Sequence, residues 1–128
     1  MQYLLMEYVV EEGWNQLAPA EQKEWIGAVK AYIEAMSTAG VLKGMNGLRP
    51  TSTATTVRTS NGKIQVLDGP YAEAKEQFAG YYLIEADDLD AAIGWASRSP
   101  TAIHGVVEVR PVANHALSAE LAAAARLA

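Results

Sequence analysis

Asn61-Gly62, set between two runs of alternating apolar and polar residues, constrains the fold of this chain more tightly than any other pair. Asn-Gly is the preferred centre of a type I′ turn, in which both central residues take positive φ. A hairpin with that pair at its tip places Ser60 opposite Lys63, Thr59 opposite Ile64, Val57 opposite Val66 and Thr55 opposite Asp68. Side chains alternate across a strand. Val57, Ile64 and Val66 therefore share a face with Asp68 at its far end, and Thr56, Arg58 and Gln65 take the other. The hairpin hands the stretch that begins at Asp68 to the edge of an apolar surface.

That stretch, residues 68–85, turns at Gly69-Pro70 and gathers Asp68, Glu73, Lys75 and Glu76 into a short connection before re-entering a strand at Gly80. Such a density of charge and backbone punctuation is more than a spacer requires, and it is expected to rim whatever site the protein has. Around it the chain reads in order. Residues 3–10 form a strand apolar on both faces, which implies cover on both; Glu7 then stands on a greasy face, beside a ligand cavity or a cation, because a lone buried carboxylate is costly. Residues 19–39 form a helix with Pro19 at its first position and Gly40 at its end. Ala18 is a poor N-cap, and Trp25, Val29, Tyr32, Ile33 and Met36 make one core stripe. A short strand spans 41–48, the hairpin follows, and a strand runs from Gly80 to Ala86. Asp87 and Asp88 cap a second helix, 89–97, whose stripe is Leu89, Ala92, Ile93 and Ala96; Pro100 forbids its continuation. The last strand covers 106–112.

The order β-α-β, hairpin, β-α-β is the ferredoxin-like α+β pattern with an antiparallel sheet and an inserted hairpin. Right-handed crossovers put both helices on one side. The other side stays apolar and exceeds what a soluble monomer exposes, so a homodimer with a cavity between sheet and partner is expected. Residues 1–112 make the domain, and 113–128 a separable tail with an extra C-terminal helix of high propensity and small payload.

The first ten residues lack a basic region and carry Glu7 within the apolar run, which is not a signal peptide. No run approaches the roughly 20 apolar residues of a membrane span. With no cysteine in the chain, a cytoplasmic location is expected and no membrane partner. The net charge is −5, with the basic residues scattered singly, which disfavours nucleic acid as a partner. His104 and His115, with no cysteine and no helical spacing between them, give no metal site. No nucleophile elbow and no phosphate cradle is present, so no cofactor is expected.

Asp68-Gly69-Pro70-Tyr71-Ala72-Glu73-Ala74-Lys75-Glu76 resembles the motif of the DGPF proteins, a branch of the YCII-related superfamily. The flanks agree: Ala39-Gly40-Val41-Leu42, Leu48-Arg49-Pro50, Thr55-Thr56-Val57-Arg58, Gly80-Tyr81-Tyr82-Leu83-Ile84, Asp87-Asp88-Leu89-Asp90-Ala91-Ala92 and Val107-Glu108-Val109-Arg110-Pro111. The likeness covers about residues 1–112. It implies a dimeric α/β barrel and genomic company with ECF-type sigma factors, and it leaves the reaction open. Tyr71 replaces the motif's phenylalanine, and Ala74 lacks a hydroxyl. The wider superfamily carries a histidine near the start of the first helix and an aspartate just before a proline after the second. This chain has no histidine before His104, and Ser99 precedes Pro100.

Chemistry must therefore come from other residues. Asp68 is the candidate general base: an aspartate at the edge of an apolar cavity has its pKa raised by desolvation, and a nearby lysine lowers it. Arg49, Glu73, Lys75, Glu76 and Tyr81 are the ligand-binding candidates, Arg49 and Arg58 offering a fork to an anion. In the structural alternative, Asp68 accepts backbone amides in the Gly-Pro turn, and the glutamates pair with Lys75 or Arg49 at a dimer edge. Two functions are open: binding or transforming a small molecule, an anionic one included, in a pocket at the sheet–sheet dimer interface, or a non-catalytic interaction or regulatory module linked to ECF-type sigma factors.

Overall fold

The computed structural model describes residues 1–113 and 116–125. Strands β1 (Gln2–Val9), β2 (Leu42–Gly47), β5 (Gln77–Glu85) and β6 (Val106–Pro111) form one antiparallel sheet in the order β2-β5-β1-β6. Between β2 and β5 the chain makes the hairpin β3 (Thr55–Ser60) and β4 (Lys63–Asp68), a separate two-stranded sheet. Helices α2 (Pro19–Thr38) and α3 (Leu89–Arg98) are the two long crossovers, and α5 (Ala116–Ala125) lies in the tail. The fold is ferredoxin-like α+β with an antiparallel sheet and an extra C-terminal helix. Among the described residues, no helix is long and apolar enough to cross a membrane.

The hairpin has the expected register throughout, with Asn61 at φ 51 and Gly62 at φ 75, as a type I′ turn requires. Its apolar face does not join the main sheet. Val57, Ile64 and Val66 are 65%, 73% and 63% exposed, because the hairpin pairs only with itself.

Both helices cover one side of the main sheet, as right-handed crossovers dictate. Tyr3 and Leu5 of β1 and Tyr82 and Ile84 of β5 meet Tyr32 and Met36 of α2 and Ala92 and Ala96 of α3 in one buried cluster. Tyr32 packs edge-on against Tyr82 at 5.4 Å, and its hydroxyl donates to the Trp95 carbonyl at 2.8 Å. Desolvation first, and the Glu7 carboxylate second, push the Tyr82 hydroxyl up to about 12 and Tyr32 higher still. The α3 stripe is narrower than expected: Ala92 and Ala96 are buried, whereas Leu89 and Ile93 are each 48% exposed. Small residues let this helix sit close to the sheet.

Capping follows local chemistry. Asp88 Oδ1 accepts from the Ala91 amide at 2.8 Å at the start of α3. Ala18 has no acceptor to offer α2, so only half a capping box forms, with Glu21 Oε1 accepting from the Ala18 amide at 2.9 Å. At the other end Gly40 takes φ 73.

Two short helices were not legible in the sequence: α1 (Gly13–Gln16) and α4 (Thr101–His104). Pro100 ends α3 as expected and then serves as N-cap of α4, so His104 closes a helical turn. His115 lies outside the described residues.

Candidate functional site

Beyond the C-terminal end of β1 the chain encloses a cleft of ≈ 560 Å³. Its floor is Val9 and Val10, one wall is Trp14 of α1 with Leu17 just after it, and the next is Glu21, Glu24, Trp25 and Ala28 on α2. Pro100, Ile103 and His104 close it from α4, and Glu11 stands at the edge. The volume is in the range of small-molecule sites, which are mostly apolar with a few polar groups. Trp25 lies at 5.9 Å, tilted, from the His104 ring. Trp25 thus belongs to the cleft as well as to the α2 stripe.

Glu11 links this cleft to the segment that the sequence singled out. Its carboxylate accepts from the Thr51 amide at 2.8 Å and from Thr51 Oγ1 at 3.0 Å, and its own amide donates to Gln77 Oε1 at 3.0 Å. Gln77 Nε2 in turn donates to the Ala74 carbonyl at 2.8 Å. One residue, through its carboxylate and its amide, therefore ties together the end of β1, the turn after Pro50 and the run into β5.

The charged groups of that segment face outward. Asp68, Glu73 and Lys75 are exposed and Glu76 is half-buried, and among the described residues none of the four makes an ion pair. In the turn itself the Gly69 amide donates to the Ala54 carbonyl at 2.7 Å, and Thr56 Oγ1 donates to the Gly69 carbonyl at 2.8 Å. These bonds fix the turn without the Asp68 side chain. Gly69 sits at φ 102, where a side chain would be strained. Arg49 is exposed, and Arg58 lies over the Tyr71 ring at 5.4 Å. Tyr81 is on the sheet face away from the helices, where its hydroxyl accepts from Asn46 Nδ2 at 3.0 Å. Tyr8 and Phe78, 5.5 Å apart, are half-buried near it. None of Asp68, Arg49, Glu73, Lys75, Glu76 and Tyr81 lines the cleft.

Glu7 meets hydroxyls, not a cation. Ser99 Oγ donates to Glu7 Oε2, and Thr101 Oγ1 donates to Oε1 at 3.1 Å. Both hydroxyl residues are buried, at 2% and 3% exposure. Burial pushes the Glu7 carboxyl above its ordinary value, and the two hydroxyl bonds only partly oppose that. A carboxylate on a greasy strand was visible in the sequence; its partners, ninety residues away, were not. Strands β1 and β6 prove adjacent, with Glu7 opposite Val107 and Met6 opposite Glu108. Glu108 pairs with Arg110 of its own strand at 3.4 Å, an exposed bridge of little energetic weight. Among the described residues, no cluster of three metal-ligating side chains forms.

The profile of the YCII-related domain matches residues 1–115. An uncharacterised protein of Rhizobium meliloti (strain 1021) is 38% identical over 109 residues, covering 81% of this chain and 83% of its own. Among solved structures, the chain resembles a 5-chloro-2-hydroxyhydroquinone dehydrochlorinase from Burkholderia phenoliruptrix AC1100, in complex with 2,5-dihydroxybenzoquinone. The TM-score is 0.52 at 13% identity, covering 90% of this chain and 96% of that one.

Proposed function

Given that this chain belongs to the YCII-related family, we propose that it binds or transforms a small, flat organic molecule in the cleft at the end of β1. The observation that carries this reading is the ≈ 560 Å³ cleft walled by Trp14 and Trp25 with His104 and Glu24 on its rim. Indole side chains supply apolar area and stacking for a planar ligand, and His104 and Glu24 bring an imidazole and a carboxylate to the same lining. Two further features support it. The start of α2 and Pro100, the segments that carry the superfamily's reactive pair in the resemblance above, both contribute to this one cleft. A fold neighbour is a dehydrochlorinase complexed with a small ring compound. The cleft stands on the helix side of the sheet, so it needs no second copy.

Assembly is a separate part of the proposal. Leu4, Met6, Tyr8, Phe78, Tyr81 and Leu83 are half-buried strand residues, and those facing away from the helices offer an apolar surface to a second copy. Asp68, Glu73, Lys75 and Glu76 then belong to the rim of that dimer hollow. The exposed Val57, Ile64 and Val66 favour a second reading, a non-catalytic interaction module that engages its partner through the hairpin.

A small-molecule screen by thermal shift, run on the natural chain, Ala28→Trp and Asp68→Asn, tests these readings. Ala28 is exposed and helical, so an indole there fills the cleft at little cost to folding. Ligands lost in Ala28→Trp and kept in Asp68→Asn support the cleft. The converse pattern moves the site to the signature segment, and no ligand at all favours the interaction module.

A further inference from the structure

We infer that the cleft selects a cation, a protonated amine carried on a flat apolar body. The inference rests on the cleft being the ligand site and adds the chemical class of the ligand. Its side chains settle the sign of the charge. Among the described residues, Glu11, Glu21 and Glu24 line the cleft, no lysine or arginine does, and His104 is the one basic group in its lining. Glu11 and Glu21 are held by neutral donors, the Thr51 amide and hydroxyl and the Ala18 amide respectively. Neutral donors orient a carboxylate without cancelling its charge. Glu24 makes no hydrogen bond or ion pair with any described residue. The lining therefore carries negative charge with no lysine or arginine to answer it among the described residues.

The apolar walls fit the same ligand. Trp14 and Trp25 line the cleft, and a cation over an indole face gains attraction from the ring quadrupole. The α2 N-terminus carries the partial positive charge of a helix start, but Glu21 stands in that first turn and already answers it. Arg49 and Arg58, the groups expected from the sequence to hold an anion, lie outside the cleft. With Glu21 answering the helix start, an anionic ligand would still meet the like charges of Glu11 and Glu24; a cationic one supplies the partner that Glu24 lacks among the described residues.

The test uses three probes that share one phenylethyl body: phenethylammonium, phenethyl alcohol and hydrocinnamate. They are titrated into the natural chain near pH 7.5, where the amine is protonated and carboxylates are ionised. Calorimetry reads affinity, and tryptophan fluorescence reports the cleft. The expected order is ammonium tightest and carboxylate weakest, with the ammonium about tenfold or more above the alcohol, a preference of about 1.4 kcal/mol. In Glu24→Gln that preference should shrink severalfold, and about 0.5 M salt should shrink it again. Ala28→Trp should lose all three probes.

If hydrocinnamate or the alcohol binds as tightly as the ammonium, and Ala28→Trp abolishes that binding, the cation inference is wrong while the cleft reading stands. If binding survives Ala28→Trp, or no probe binds the folded chain at millimolar concentration, the cleft reading falls and the inference with it.

Discussion

Replacing Glu7 by alanine removes the shared acceptor of two buried hydroxyls, Ser99 Oγ and Thr101 Oγ1. A buried hydroxyl left without a partner costs about 1–3 kcal/mol. Ser99 Oγ still accepts from the Thr101 amide at 3.3 Å, but its own proton has nowhere else to go among the described groups. Removing the carboxylate also ends the cost of burying a charge, which lifts the Glu7 pKa from its ordinary 4.5. The net loss expected for Glu7→Ala is therefore about 2–4 kcal/mol, near the lower half of two full penalties. Glu7→Gln keeps one acceptor and adds a donor that either hydroxyl oxygen can accept, so it should stay within about 1 kcal/mol of the natural chain. The pH dependence separates charge from geometry. A carboxyl whose folded pKa is raised favours the folded state while protonated. Its contribution is therefore whole below 4.5, declines as pH rises through the folded pKa, and is gone above it. Relative to Glu7→Gln, the natural chain should be most favoured at low pH and lose that margin on the way to neutrality. Urea unfolding followed by circular dichroism, repeated across this range at constant m-value, measures both effects. Glu7→Ala within about 0.5 kcal/mol of the natural chain, below the usual penalty for a single orphaned hydroxyl, would refute the clamp. So would a Glu7→Gln margin that does not fall with rising pH.

Gly105→Ala should be the most damaging small substitution in the chain. A Cβ there would lie 2.2 Å from the Tyr8 carbonyl oxygen and 3.4 Å from a Thr101 methyl, so β6 must shift against β1. The expected loss is about 3 kcal/mol or more, the upper end for overpacking, read as a fall in urea midpoint. Asp88→Ala removes the Ala91 cap and should cost about 1 kcal/mol, with Asp88→Ser or Asp88→Asn recovering most of it in the same assay.

The register of the hairpin, the extent of α2 and the cap of α3 were legible because each depends on neighbours in sequence. Asn61-Gly62 accepts positive φ at both positions, Pro19 and Gly40 bracket a helix, and Asp88 reaches an amide three residues on. The β-α-β order was legible for the same reason and led to the ferredoxin-like sheet.

Contacts across long separations were not. Whether the Val57, Ile64 and Val66 face joins the main sheet depends on where β2 and β5 carry the hairpin, and they carry it clear. Glu7 announced itself by standing on an apolar strand, yet only the packing of the α3–α4 corner onto β1 made Ser99 and Thr101 its partners. The cleft is assembled from β1, α1, α2 and α4, and each contributes side chains that look like ordinary core or solvated helix when read alone. Local chemistry is a matter of backbone dihedrals and nearby donors, which the order of residues specifies directly. A cavity is what remains between elements once they pack, and no single stretch of the chain encodes it.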